Sequence, residues 1–282
     1  MQFVVRLAVF FFSGFVFSQN TPLLFGNPSG ALADSACSGN YLIEKKQYTL
    51  SYNARLLIPN WVSWHLDSGD LGAQGRGNDF RPDDTLPESF YAVKKGDYQY
   101  KKYGFDRGHV CPSADRTASR EDNSATFLMT NMIPQAPDCN RILWKNLEVF
   151  ERNLAESGKE LYIIAGPQGT GGTSAAGYFE TIVISDGTDG SSEELFLNVP
   201  AFCWKIILVL DDGENDRERV TEETDVIAVY MPNAQRDGTS VFWYDYLTTV
   251  DFIEEKTGYD FFSALSEPVE TVLEAKRYCF ER

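Results

Sequence analysis

The chain has 282 residues, enough for one domain or at most two, and for a sizeable core without metal or disulfide staples. Hydrophobic residues make up 43% and charged residues 23%, with 22 Gly and 12 Pro, which excludes a collagen-like, low-complexity or disordered chain. A net charge of −16 argues, taken whole, against polyanion partners, because phosphate contacts are ordinarily made by Lys and Arg. The charge is uneven, however. Residues 94–120 hold seven bases (Lys94, Lys95, Lys101, Lys102, Arg107, Arg116, Arg120) against three acids (Asp97, Asp106, Asp115), whereas residues 186–282 hold 22 acids against eight bases. A basic site on an acidic body fits this pattern, and so does a solvated acidic surface with no further meaning.

From the N-terminus, Met1–Arg6 is a short positive segment and Leu7–Phe17 an eleven-residue apolar run. That is the length of a signal peptide and too short for a membrane-spanning helix, so the mature chain is expected to be secreted or periplasmic, with no stable membrane association. Cleavage fits after Ser18 or after Ala33, with Ser18 preferred; an N-terminal membrane anchor is the alternative. The domain reading is a signal peptide over 1–18, a flexible Gly/Ser/Asn/Ala-rich leader over 19–40, and a single domain over 41–282. Five cysteines (Cys37, Cys111, Cys139, Cys203, Cys279) permit two bridges in an exported chain and leave one over, with no pairing favoured. None forms a C-x-x-C, and no His stands at zinc-finger spacing.

Onward from Tyr41, Trp61–Leu66 alternates as a half-buried strand that would make His65 a packed structural histidine. A helix is predicted over Asn140–Ser157, and strands over Leu161–Ala165, Thr181–Ser185, Cys203–Leu210 and Val226–Met231. Gly166–Gly172 reads as a mobile loop, since Gly172 stands where a phosphate-binding loop requires Lys. The acidic run Asp211–Glu218 fails the calcium-loop pattern and reads as a solvated hairpin loop. Helices are predicted at about Thr248–Thr257 and over Pro268–Phe280, the latter capped by Ser266 with Pro in its first turn. The class is mixed α+β.

His65 and His109 are the only histidines. His109 lies in Asp106-Arg107-Gly108-His109, inside the locally basic stretch, so an orienting acid, a phosphate-binding cation and a base fall within four residues. With Phe80–Pro87 (FRPDDTLP), Tyr103–Arg116 (YGFDRGHVCPSADR), Ala125–Gln135 (ATFLMTNMIPQ) and Asn146–Glu148 (NLE), this motif resembles the non-specific DNA/RNA endonucleases of the ββα-metal (His-metal finger) type, in the cyanobacterial-type secreted branch. The resemblance implies a ββα-metal fold, a central antiparallel sheet flanked by helices, with the site at roughly residues 100–155. It also implies His109 as general base and Asn140 as the sole protein ligand of a Mg²⁺ ion, with Mn²⁺ left open. Glu148 would hold the waters around that ion, Arg152 and Arg76 would act on the scissile phosphate, and Arg107 and Asn131 would line the same site. Asp106 would orient. Cys111 departs from the usual small residue after the motif, and Cys139 directly precedes Asn140, so a thiol-sensitive site is one expectation. The implied partners are DNA and RNA, single- or double-stranded, with a protein inhibitor left open.

Residue chemistry runs alongside. At 100° per residue, Leu143, Leu147, Phe150 and Leu154 fall within about 60° of arc as a buried stripe, while Asn140, Glu148 and Arg152 follow one polar flank at about 0°, 80° and 120°. Asn140 and Glu148 are about 12 Å apart in helix rise, too far to share one ion directly, so water must bridge them, as suits Mg²⁺. The expected reaction is hydrolysis of phosphodiesters by water activated at His109, giving 5′-phosphate and 3′-hydroxyl ends. Contacts to phosphate alone predict weak sequence preference. The rival from another class is a secreted acidic glycoside hydrolase using a carboxylate pair.

Overall fold

Alternation along one strand organises the molecule. Between Phe202 and Asp211, Cys203, Lys205 and Ile207 point to one face, and Trp204, Ile206, Leu208 and Leu210 to the other, because successive side chains of a strand face opposite ways. Both faces are buried, which is why the run is apolar from Phe202 to Leu210 apart from Lys205. The computed structural model describes residues 21–185, 194–235 and 242–279; the expected signal segment over 1–18 lies outside the described residues.

In chain order the elements are β1 (Tyr41–Glu44), β2 (Thr49–Asn53), β3 (Ile58–Leu66), α1 (Tyr100–Tyr103), β4 (Asp106–His109), α2 (Arg120–Ala125), β5 (Met132–Gln135) and α3 (Lys145–Glu156). There follow β6 (Lys159–Gln168), β7 (Gly172–Ser174), β8 (Gly177–Phe179), β9 (Thr181–Ser185), β10 (Glu194–Asn198), β11 (Phe202–Asp211), α4 (Asp216–Arg219), β12 (Asp225–Pro232), β13 (Leu247–Thr248), α5 (Val250–Thr257) and α6 (Glu267–Ala275). Seven strands form one sheet in the order β1-β2-β3-β6-β11-β12-β13, antiparallel at every pairing. On one face Trp64, Ile163 and Ile207 pack with Leu143, Trp144 and Leu147 ahead of and within α3. On the other, Trp61, Trp204 and Leu208 pack with Ile253 of α5 and Leu273 of α6. The fold is the expected α+β arrangement, a central antiparallel sheet flanked by helices.

Several expectations need correction. Residues 21–40 are not a free leader: Phe25 and Ala31 are buried in the second core, Trp61 Nε1 donates to Ser29 Oγ at 2.8 Å, and Leu32 bridges to Tyr41. Phe25 and Ala31 are apolar enough to cover the sheet, and covering it removes them from water. β3 is buried along nearly all its length rather than on one side, because it lies between β2 and β6 with both faces covered. Gly166–Gly172 is not a loose loop, since β6 runs through Gln168 and β7 starts at Gly172. A Cβ at Gly166 would come within 2.4 Å of the Asn60 carbonyl oxygen, so this glycine permits close packing. In Asp211–Glu218 the exposed turn is real, but Asp216 is buried and accepts from Arg219 and Tyr162. α6 stops at Ala275 because Lys276 turns extended and sends its Nζ to the Glu223 and Thr224 carbonyls.

The face carrying α3 holds a fully buried ion pair. Lys205 Nζ lies 2.9 and 3.2 Å from the two Glu151 carboxylate oxygens and sits over the rings of Trp144 and Trp64, 4.4 and 5.4 Å from their centroids. Removing one partner strands a charge where water cannot reach, so Glu151→Ala should cost about 3–5 kcal/mol. Lys205→Met with Glu151→Leu should regain most of that loss, measured by urea unfolding.

Candidate active site

β4 and β5 form the two-stranded arm of a ββα unit, with Asp106 opposite Gln135, Gly108 opposite Ile133 and His109 opposite Met132. Gly108 is required sterically, as a Cβ there would lie 2.2 Å from Gln135 Oε1. After β5 the chain enters a π-helical turn, Cys139–Trp144, and only then the α-helix. The expected helix thus begins with a wider turn that breaks the simple 100° phase, as π turns do, and aims Asn140 and Arg141 at β4. Downstream the buried face is Leu147, Glu151 and Ala155, while Phe150 and Leu154 are only half-buried.

Asp106 fixes the orientation of Asn140. Arg141 grips the Asp106 carboxylate through Nε at 2.8 Å and Nη2 at 2.6 Å, and Asn140 Nδ2 donates to Asp106 Oδ2 at 2.9 Å. An ionised carboxylate can only accept, so the amide nitrogen must face Asp106 and the amide oxygen faces away from it. Among the described residues no protein donor takes Asn140 Oδ1. Nor does any group of three His, Cys, Asp or Glu side chains converge there; the two such groups lie among Asp251, Glu254, Asp260, Glu270 and Glu274. One neutral oxygen beside one acid suits a hard ion that keeps most of its waters, and does not suit a zinc site.

His109 is buried against Phe80 and Phe127, with ring centroids at 5.5 and 4.7 Å. Burial first, then the Arg76 and Arg107 guanidiniums, lower its pKa to about 3, so the imidazole is neutral near pH 7. Among the described residues its Nε2 is enclosed without a partner, and the ring lines the cleft described below. The same two phenyl rings carry the flanking cations: Arg107 lies 4.7 Å from the Phe80 centroid and Arg76 5.4 Å from that of Phe127. Arg152 donates from Nη1 to Asp115 Oδ1 at 2.8 Å, and Trp64 Nε1 holds the other Asp115 oxygen at 3.0 Å. Glu148 is half-buried, and burial raises its carboxyl to about 8, helped by Asp115 and Glu151 and opposed by Lys205 and Arg152.

These groups surround a cleft of about 470 Å³ lined by Arg76, Arg107, His109, Asn140, Glu148 and Arg152 together with Pro112, Ser113, Ala114, Arg141 and Lys145. Five cations face one carboxylate, so the cleft is basic in a protein of net charge −16. Six of the seven expected site residues meet here. Asn131 does not: it is fully buried, its Nδ2 donates to the Cys111 and Thr126 carbonyls at 2.8 and 2.9 Å, and its Oδ1 accepts from Cys111 N at 2.9 Å. All its capacity goes to backbone, locking the residues after His109. Arg141 and Lys145 were not anticipated. The signal available was basic residues one and five positions beyond Asn140, outside the stretch whose charge was counted. Neither Cys111 nor Cys139 lines the cleft; both are buried, and burial pushes the Cys111 thiol up, which disfavours a thiol-sensitive site. His65 is packed elsewhere, with Nε2 3.5 Å from Glu160 and Nδ1 3.9 Å from Asp70.

Residues 29–267 match the family model described as DNA/RNA non-specific endonuclease. The chain belongs to this family. It is 45% identical to a nuclease of Nostoc sp. over 92% of this chain and 86% of that protein. It is 28% identical to human mitochondrial endonuclease G over 77% of this chain and 68% of that protein. A solved complex of EndoG with EndoGI, described as showing the mechanism of EndoG inhibition, superposes with a TM-score of 0.64 at 22% identity, covering 87% of this chain and 91% of that one; it supports the ββα-metal fold. The family is one of nucleases, and the glycoside hydrolase alternative is not supported. The cleft agrees, for it offers a single carboxylate where a glycosidase needs two. No helix among the described residues is long and apolar enough to cross a membrane.

The Glu148 shift has a measurable consequence in chelator. A carboxyl raised in the folded state stabilises fully below its unfolded pKa of about 4.3, and that contribution is lost as pH rises through about 8. Wild type and Glu148→Gln should therefore melt alike near pH 4.5, and the variant should become progressively the more stable of the two towards pH 8.5. Scanning calorimetry in EDTA reads the difference, and a gap that stays constant with pH contradicts the assignment.

Proposed function

We propose that this nuclease hydrolyses DNA and RNA, single- or double-stranded, by attack of water activated at His109, leaving 5′-phosphate and 3′-hydroxyl ends. The observation that carries the reading is the Asn140 amide, turned by the Arg141-held Asp106 carboxylate so that its oxygen is free, in the same basic cleft as a neutral histidine. Mg²⁺ at Asn140 Oδ1, with Mn²⁺ able to replace it, would supply positive charge for the phosphoryl oxygens and the departing 3′ oxygen.

The chain's own residues do the rest. His109 accepts the proton of the attacking water. Arg76 and Arg107, held over phenyl rings, present donors to the phosphoryl oxygens where negative charge grows. Arg152, partly committed to Asp115, adds charge from the α3 side, and Glu148 accepts hydrogen bonds from waters in the cleft. The 2′-hydroxyl of RNA takes no part, so both sugars serve. Every contact is to phosphate, which supports sequence-independent cutting. We also propose export, with the leader removed after Ser18. A cut after Ala33 would take away Phe25 and Ala31, which fill the second core, and Ser29, which receives Trp61 Nε1.

Loss of His109 as His109→Ala should lower turnover on plasmid DNA by ~10²–10⁴-fold, while His65→Ala changes it little. Equal losses would remove His109 from its role. Digestion of plasmid and RNA should stop in EDTA and resume with Mg²⁺, and the RNA products should carry 3′-hydroxyl ends; 2′,3′-cyclic phosphates would exclude attack by water.

A further inference from the structure

Among the buried cysteines, two flank one amide. Cys139 stands in the π turn immediately before Asn140, and Cys203 stands on β11; both are free thiols in the structure, and their sulfurs each lie 3.7 Å from the same Gln135 Nε2. Both are fully enclosed, whereas Cys37 is half-buried and Cys279 exposed. Cys111 is also buried, but among Asp115, Arg116 and Asp70. The fold therefore brings together one pair of thiols, far apart in sequence and on two different elements.

We propose that Cys139 and Cys203 are a covalent cross-linking site, joined as a disulfide in the exported protein, which ties the turn carrying Asn140 to the middle of the sheet. The proposal rests on the export reading, since the cytosol keeps thiols reduced. To bond, the two sulfurs beside Gln135 must close to about 2.05 Å. The π turn, already irregular, is the element able to supply that movement.

The chemistry balances with a disulfide oxidant, RSSR, such as glutathione disulfide or an oxidised dithiol protein. One cysteine thiolate attacks an RSSR sulfur and releases one RSH; the other then attacks the mixed disulfide and releases the second. Two thiols lose two protons and two electrons, and RSSR is reduced to two RSH. The neighbouring Cys139 thiol, and then burial, hold the Cys203 thiol well above its ordinary pKa, so exchange belongs to the folding chain, before the core closes. Once closed, the bond is out of reach of reductant. It constrains the first turn of the helical segment, so the Asn140 amide keeps its orientation whether or not an ion is bound.

The test uses the full chain expressed with its leader and collected after export. Denatured without reductant in iodoacetamide and then digested, it should yield the Cys139 and Cys203 peptides linked and two hydrogens lighter than their sum, with Cys111 alkylated. The thermal midpoint of Cys139→Ser/Cys203→Ser should fall by roughly 4–15 °C. Wild type unfolded and reduced, then refolded with dithiothreitol, should fall equally. A protein lacking its first 18 residues in which both cysteines are alkylated overturns the proposal, as does a bridge from either one to Cys111. If Met1 is retained, the export reading fails instead, and refolding in glutathione and glutathione disulfide decides: linkage there upholds the site, and its absence overturns it.

Discussion

A lysine ammonium in the centre of a β-sheet, with no access to water, has one tolerable solution: a carboxylate must be brought to it. Lys205 receives Glu151 from α3, and the Trp64 and Trp144 rings close the remaining sides. This single requirement sets the rotation of α3. With Glu151 turned inward, Glu148 and Arg152, three positions before and one after, are placed along the cleft wall rather than in solvent. Arg152 then reaches Asp115, whose second oxygen is held by Trp64, so the same tryptophan contacts both Lys205 of the buried pair and the acid that holds the cleft's Arg152.

The other wall of the cleft obeys a different constraint. β4 and β5 are too short to be stable as a free ribbon, and they hold together through close approach at Gly108 and through Asn131, whose amide stitches Cys111 to the turn preceding β5. His109 gains its position from that backbone and its neutrality from Phe80 and Phe127. Asn140 depends on both walls: its side chain answers to Asp106 of β4, and its backbone to the turn that leads into α3. Cleft groups from two separately anchored units are thereby held at fixed separation.

Much of this was legible in the sequence because it rests on local pattern. The β-branched runs at Leu161, Thr181, Cys203 and Val226 are strands, and His109, Asn140, Glu148 and Arg152 come together in one cleft. What escaped depends on partners distant along the chain. Glu151 falls about 40° from Leu147 on a helical wheel, at the border of the apolar stripe, but its charge points to solvent and nothing near it announces Lys205. Asn131 looks like a cleft residue until its neighbours in space are known to be backbone donors and acceptors. The N-terminal segment has a loop-like composition, yet Phe25 and Ala31 find an apolar sheet face that only the assembled fold presents. Arg141 escaped for the opposite reason: it stands next to a marked residue, but its use is to hold Asp106, a role set by the π turn rather than by spacing.

The distribution of charge bears on how a strand is held. A nucleic-acid strand would meet five cations in the cleft, whereas residues 186–282 carry 22 acids against eight bases. Travel along a polymer requires a continuous track of weak phosphate contacts, and so acidic a stretch is a poor one. A strand in the cleft would gain nothing by passing across that acidic part, so its attachment would rest on the cleft and on the basic stretch of residues 94–120.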